Sequence, residues 1–127
     1  MLIDLNKQNN INGIKIVQDI EQARDSVLNG EIVTRFEYGD SLSPIVLSGE
    51  FLILKPINRE IRLYDIVLCE VNDYLMTHMI VNISQDGKYY LIGSTNGWIF
   101  GWTDKIYALC ENFDNDINKR CFILDKN

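Results

Sequence analysis

From residue 31 onward the chain is a succession of short segments rich in β-branched and aromatic residues, separated by turn-forming residues. Such segments are typical of antiparallel strands. The predicted strands are 31–38, 51–55, 65–71, 74–84, 88–92, 105–110 and 120–124. Asn72-Asp73 and Gln85-Asp86-Gly87 predict hairpin connections between successive strands. The pattern therefore favours a mainly β fold, either a small bent sheet or a partly closed barrel.

The segment before these strands predicts one helix, over about 14–29. Its apolar residues recur at helical spacing and leave polar side chains on the opposite face. That apolar face comprises Ile16, Val17, Ile20, Ala23, Val27 and Leu28. Asn29-Gly30 then supplies the left-handed residue with which helices commonly end. Because a single helix of about four turns is marginal alone, we expect it to cover one face of the sheet.

A length of 127 residues predicts a single domain over 1–127, with the β-rich core at about 31–124. The net charge of −6 and the lack of a Lys/Arg run argue against a nucleic-acid binder. No apolar stretch approaches the roughly 20 residues of a membrane-spanning helix. The polar, Asn-rich start does not resemble a secretion signal. These features favour a cytoplasmic protein without a membrane span.

The sequence holds few residues that could bind a metal or a cofactor. Cys69, Cys110 and Cys121 are widely spaced, so we expect three reduced, largely buried thiols. No zinc-ligand cluster, phosphate-binding glycine loop or dinucleotide fingerprint is present, and we expect neither cofactor nor metal. Trp98, Phe100 and Trp102 alternate after a turn, and they either form an exposed platform for a partner or fill one end of the barrel.

The turn after the first long strand is the main candidate for chemistry. Gly39 permits a tight turn, and Pro44 disfavours helix at the preceding residue. Ser41 is therefore presented on a constrained bend whose backbone N–H groups could form an oxyanion hole. Gly, Asp, Ser and Pro are also what ordinary turns use. A serine nucleophile needs a base, and the one histidine of the sequence, His78, lies in a predicted strand. Alternation along that strand predicts that His78 shares a face with Tyr74, Met76 and Ile80, and that Met79 points the other way.

Five segments together resemble the S24/S26 serine peptidase superfamily, which includes the LexA-like repressors and the signal peptidases. They are Leu28-Asn29-Gly30-Glu31-Ile32-Val33-Thr34, Gly39-Asp40-Ser41-Leu42-Ser43-Pro44, Ser48-Gly49-Glu50, Tyr64-Asp65-Ile66-Val67-Leu68 and Thr77-His78-Met79-Ile80. The resemblance covers about residues 28–111 and is closest to short cytoplasmic or phage-type members. It implies the LexA/signal-peptidase type of catalytic domain.

The resemblance also implies roles for particular residues. Ser41 would be the nucleophile and His78 the base, with oxyanion donors at the Ser41 amide and around Gly39. The chain departs from the family at Met79, where an arginine commonly follows the base, and at Gly93-Ser94-Thr95-Asn96-Gly97, where the family's acid is missing. Asp104 is the nearest substitute in sequence for an acid that orients the histidine, and Asp65 is a less favoured one.

Two functional hypotheses follow. The first is a serine endopeptidase in which a Ser41–His78 dyad hydrolyses a peptide bond, in a protein substrate or in the chain itself. The second is a catalytically inactive protein of the same fold that serves as a virion or other assembly component and binds partner subunits. The sequence leans slightly to the first. It defines neither the oligomeric state nor the substrate.

Overall fold

The computed structural model describes residues 10–43 and 45–112 of the chain. Along these residues, one helix lies between the second and third of nine strands. The strands are β1 (Asn10–Ile11), β2 (Ile14–Lys15), β3 (Val33–Phe36), β4 (Phe51–Lys55), β5 (Ile66–Val71), β6 (Tyr74–Ile83), β7 (Tyr90–Gly93), β8 (Ile99–Thr103) and β9 (Ile106–Cys110). The helix α1 is Ile20–Leu28. The mainly β fold with one helix is therefore confirmed. Strand 120–124 and Cys121 lie outside the described residues.

Seven of the strands form one antiparallel sheet in the order β3-β4-β9-β5-β6-β7-β8. The two predicted hairpins, β5–β6 and β6–β7, are confirmed. At the far end of the sheet, the Thr103 hydroxyl of β8 donates to the Glu70 carbonyl of β5 at 2.6 Å. The sheet therefore curls until β8 approaches β5, and it encloses side chains on its concave face.

The helix is shorter than the predicted 14–29. It begins at Ile20 because the Asp19 side chain caps it, accepting a hydrogen bond from the Gln22 N–H at 2.9 Å. Ile16 and Val17 lie before this cap and line the edge of β3, where the Val17 N–H donates to the Thr34 carbonyl at 2.8 Å. Their apolar spacing suits strand pairing as well as a helix. The predicted end at Asn29-Gly30 is confirmed.

The predicted strands after the helix are recovered with changes at their ends. β4 has the predicted bounds 51–55, whereas β3 is shorter than 31–38 and β7 is shifted from 88–92. β8 was not among the predicted strands, since its short, aromatic-rich sequence includes Gly101. Register shifts interrupt β5, β6 and β7, so the strands bend as they pair.

Both faces of the central strands are buried, and each face belongs to a separate core. The first core joins α1, the segment between β3 and β4, and one face of the sheet; it contains Ala23, Val27, Leu42, Ile45, Val46, Leu52, Leu54, Ile66, Leu68 and Met79. The second core fills the concave face of the curled sheet; it contains Val67, Cys69, Val71, Ile80, Ile92 and Leu109. This explains why β5 is an almost continuous apolar run.

Two of the three cysteines lie within these cores. Cys69 and Cys110 are both buried, in agreement with the prediction for those two side chains. Burial raises the pKa of the Cys69 thiol to about 12, so that it remains protonated. In the part of the chain that the structure describes, no helix is long and apolar enough to cross a membrane.

Candidate functional site

Ser41 lies in the turn that follows β3, as the sequence predicts. Gly39 has a φ of +100°, and the Ser43 N–H donates to the Asp40 carbonyl at 3.1 Å. The Gly39 N–H, a predicted oxyanion donor, instead donates to the Ser48 hydroxyl at 3.0 Å. That amide is therefore used to close the loop, because the two ends of residues 39–48 meet there. Leu42, next to Ser41, is buried in the first core.

The β7–β8 connection holds this turn in place. The Thr95 N–H donates to the Ser41 carbonyl at 2.9 Å. The Thr95 hydroxyl donates to the Ser41 and Ser43 carbonyls. The segment 93–97, in which the sequence lacks the acid expected from the resemblance, is thus the support of the Ser41 turn.

His78 lies on β6 with its side chain on the face of the second core. The predicted alternation is confirmed, since Met76 and Ile80 belong to that core and Met79 belongs to the first. The His78 ring stacks on Phe100, with 4.2 Å between centroids and 18° between planes. Its Nδ1 is buried and has no hydrogen-bond partner within the described residues. Burial lowers the pKa of His78 to about 4.

The described residues show no hydrogen bond between the Ser41 hydroxyl and the His78 ring, and Nδ1 of His78 has no partner there. Leu42, next to Ser41, packs with Met79 in the first core. The His78 ring packs against Phe100 on the other face of β6. Met79 and His78 face opposite ways because the side chains of a strand alternate.

Neither candidate acid forms a hydrogen bond with Nδ1 of the histidine. Asp104 is exposed in the turn between β8 and β9, and Nδ1 of His78 has no partner among residues 10–43 and 45–112. Asp65 is fully buried, but its carboxylate accepts two hydrogen bonds from the Arg59 guanidinium, at 2.8 and 2.9 Å, and one from the Arg62 N–H at 2.7 Å. Asp65 therefore braces the residues before β5. It does not support a base.

A cavity of about 170 Å³ opens beside the Ser41 turn, on the first-core side of β6. It is lined by Tyr64, Met79, Val81, Ser94, Thr95, Gly97 and Ile99. Thr95 joins the cavity to the Ser41 turn through the hydrogen bonds described above. The lining residues include no His, Lys, Asp or Glu, so no imidazole, amine or carboxylate in the cavity wall could serve as a general base.

The Ser94 and Thr95 hydroxyls of the cavity wall already donate within the protein. The Ser94 hydroxyl donates to the Asn96 side-chain oxygen and accepts from the Trp98 N–H. The Thr95 hydroxyl donates to the carbonyls of the Ser41 turn. The cavity thus offers apolar surface and lone pairs, and these hydroxyls have no hydrogen left for a bound carboxylate.

The sequence leaves two alternatives open for the aromatic residues near β8, an exposed platform for a partner or the filling of one end of the barrel. The structure places some of these residues in each environment. Phe100 packs in the second core, which supports the filling of the barrel end. Trp98 and Trp102 are 69% and 49% exposed, and Ile99 at the cavity mouth is 53% exposed. These three exposed apolar side chains lie within five consecutive residues of the chain, and Ile99 is the one that lines the cavity.

The sequence did not reveal the cavity residues as a group. In the sequence, Ser94 and Thr95 stand out only as a departure from the resemblance. Nothing in the sequence predicts that they lie close to Tyr64 or Val81 in space. The one cavity residue that the sequence singles out by itself is Met79, which replaces the arginine expected from the resemblance. No family model, curated protein or solved structure matches this chain. Among the described residues, no group of three His, Cys, Asp or Glu could hold a metal ion.

Proposed function

We propose that the protein is a catalytically inactive, peptidase-like binding module that serves as an assembly component. It binds a partner protein by accepting one apolar side chain of an extended segment into the cavity beside the Ser41 turn. The observation that carries this proposal is the division across β6. The cavity adjoins the serine turn, whereas the imidazole stacks on Phe100 on the opposite face.

The size of the cavity supports a single side chain as its occupant. Ligand pockets for whole small molecules are roughly 300–1,000 Å³, which is well above the 170 Å³ here. A cavity of about 150 Å³ is large enough for a benzene molecule. One branched or aromatic side chain therefore fits, and a nucleotide or flavin does not.

The surroundings of the cavity support a protein partner. Ile99 lines the cavity and is exposed, and the exposed Trp98 and Trp102 lie near it in the chain. Exposed tryptophans are among the residues that most often dominate binding energy at interfaces. The hydroxyls of Ser94 and Thr95 donate internally, which disfavours an acidic ligand group. The net charge of −6 disfavours it further.

The finer fold assignment belongs to the same proposal. The order of the segments and the serine on a bend between two strands support a LexA/signal-peptidase type of domain. In this proposal, a domain of that type in which His78 no longer serves as the base for Ser41 is retained as a binding module. The cytoplasm, or a virion if the chain is phage-encoded, is the proposed location.

Labelling with a fluorophosphonate tests the absence of catalysis. We expect no adduct at Ser41, so that the wild-type chain and Ser41→Ala give the same signal, since no base activates the hydroxyl. The matched variant is His78→Phe, which keeps a ring against Phe100. An adduct that disappears in both Ser41→Ala and His78→Phe would overturn the proposal in favour of a serine endopeptidase.

Titration followed by ¹H–¹⁵N NMR tests the cavity. The probes are N-acetyl-phenylalanine amide and N-acetyl-leucine amide, with N-acetyl-aspartate amide as the acidic comparison. We expect shifts of the Ser94, Thr95 and Gly97 amides with the apolar probes only. Ile99→Trp should block them by filling the cavity mouth, whereas Ile32→Trp, at a site of similar exposure outside the cavity, should not. Equal shifts with all three probes would contradict an apolar site.

A further inference from the structure

Tyr64 has a backbone conformation that its side chain disfavours. Among the described residues, four other than glycine have a positive φ: Asn12, Tyr64, Asn72 and Asp73. Asn12, Asn72 and Asp73 lie in two-residue hairpin turns, and Asn and Asp tolerate the left-handed region. Tyr64, at +71°, is the one bulky residue among them, and a bulky residue there is a genuine outlier.

The surrounding hydrogen bonds hold Tyr64 in this conformation. Its N–H donates to the Ile80 carbonyl at 2.7 Å, and the Asp65 N–H donates to the Arg62 carbonyl at 3.2 Å. Arg59 then fixes the Asp65 carboxylate from the other side. None of these bonds uses the Tyr64 side chain, so a glycine at 64 would make the same bonds without strain. The backbone therefore does not explain the tyrosine.

The position of the Tyr64 ring supplies a reason. The ring packs at the border of the first core and lines the cavity, where Met79 is another lining residue. A flat ring and a thioether sulfur are both favourable neighbours for an aromatic ring. Strained residues held by an over-determined backbone are concentrated at ligand sites.

We propose that Tyr64 is a ligand-contacting residue that makes the cavity selective for an aromatic side chain of the partner. This inference rests on the proposed function, because it names the class of side chain that the same cavity takes. The tyrosine ring forms the wall on which the bound ring packs, with Met79 completing the contact. The backbone strain at residue 64 is retained because glycine would leave that wall open.

The test compares the affinities of N-acetyl-phenylalanine amide and N-acetyl-leucine amide, measured by NMR titration. For the wild-type chain we expect the aromatic probe to bind about three- to tenfold more tightly. Tyr64→Phe should keep this ratio, and Tyr64→Gly should reduce it to about one. Asp73→Gly is the matched control, since Asp73 has the same φ of +71° outside the cavity, and it should leave the ratio unchanged.

A second variant keeps the test valid if Tyr64→Gly does not fold. Tyr64→Leu retains an apolar contact with the first core but has no ring, so the ratio should again fall to about one. An unchanged ratio in Tyr64→Gly or Tyr64→Leu would overturn the role of Tyr64 while leaving the binding site in place. Failure of either probe to bind the wild-type chain would instead overturn the proposed function, and this inference with it.

Discussion

The two faces of β6 differ more than their sequence suggests. On one face, Met79 borders a cavity that joins the Ser41 turn and is flanked by a strained tyrosine. On the other face, one residue away, His78 stacks on Phe100 among apolar neighbours, and its buried Nδ1 makes no hydrogen bond with any residue that the structure describes. His78, whose side chain is the type most associated with catalysis, is thus part of the packing. Met79, whose side chain is the type usually found in a core, lines the cavity.

This difference teaches that a chemically versatile side chain acquires its role from its surroundings. An imidazole acts as a base when a donor hydroxyl and an orienting group face it. No group in the described part of the chain forms a hydrogen bond with Nδ1 of His78, and burial lowers the pKa of His78 to about 4, so the ring is neutral at physiological pH. The energetic consequences of the two faces can be separated by mutation.

The largest effect is expected on the cavity side, from Arg59→Ala. Asp65 has no exposed surface, and this substitution would leave its carboxylate buried without the guanidinium that holds it through two hydrogen bonds. Breaking a buried pair in this way costs about 3–5 kcal/mol of the free energy of unfolding. Urea denaturation at pH 7 measures the loss.

Lys105→Ala is the control for that experiment. It removes an ion pair with Glu70 in which the lysine side chain is 54% exposed. Exposed pairs contribute about 0–1 kcal/mol, so the loss should be small. If Arg59→Ala destabilises the chain no more than Lys105→Ala does, the turn before β5 is not braced by the buried pair.

The next effect concerns the opposite face and depends on pH. Because the pKa of His78 is about 4 in the folded chain and about 6.5 when unfolded, the unfolded state binds the proton first as the pH falls. The contribution of His78 to stability is complete above about pH 6.5 and is lost progressively down to about pH 4. The total loss is about 3 kcal/mol.

The comparison with His78→Phe isolates this effect, since phenylalanine keeps a ring against Phe100 and does not titrate. Urea denaturation of both chains at several pH values between 4 and 7 gives the difference. As the pH falls, we expect the free energy of unfolding of His78→Phe to increase relative to that of the wild-type chain. Other groups such as Glu37 titrate in both chains and cancel in this difference. A difference that does not change with pH would mean that the His78 ring is well solvated in the folded chain.

The sequence predicted those parts of the fold that depend on local chemistry. The hairpin at Asn72-Asp73 and the helix end at Asn29-Gly30 follow from residues that tolerate a left-handed backbone. The bounds of β4 and the face shared by Met76, His78 and Ile80 follow from alternation. Each of these features is decided by a few adjacent residues.

The remaining features depend on contacts between distant segments. Ile16 and Val17 fit a helix by spacing, but in the structure this segment pairs with the edge of β3. Alternation predicts the face of β6 on which His78 lies. It does not predict where the Ser41 turn packs, because Leu42 belongs to the long segment between β3 and β4 and its contacts with the first core are made by residues distant in the chain. The left-handed φ of Tyr64 also has no sequence signal, since it is imposed by hydrogen bonds to Ile80 and by the Asp65 brace.

A smaller effect is expected at the helix that covers the first core. Asp19→Ala removes the side chain that accepts from the Gln22 N–H, and loss of such a cap costs about 1 kcal/mol. Asp25→Ala, on the exposed surface of the same helix, is the control and should change stability by less than about 0.5 kcal/mol. Equal losses in the two variants, measured by urea denaturation, would show that the cap does not fix the start of α1.

The smallest effect compares two residues with the same backbone conformation on different parts of the molecule. Asp73→Gly places glycine at a φ of +71° in the β5–β6 hairpin, where Asn-Gly is the favoured pair, and should raise the free energy of unfolding by about 0.5 kcal/mol. Tyr64→Gly relieves the same strain but loses a ring packed against the first core, so it should not stabilise the chain. Thermal unfolding of both variants measures the contrast. If Tyr64→Gly is the more stabilising of the two, the ring contributes little to the packing, and its retention must be explained by the cavity alone.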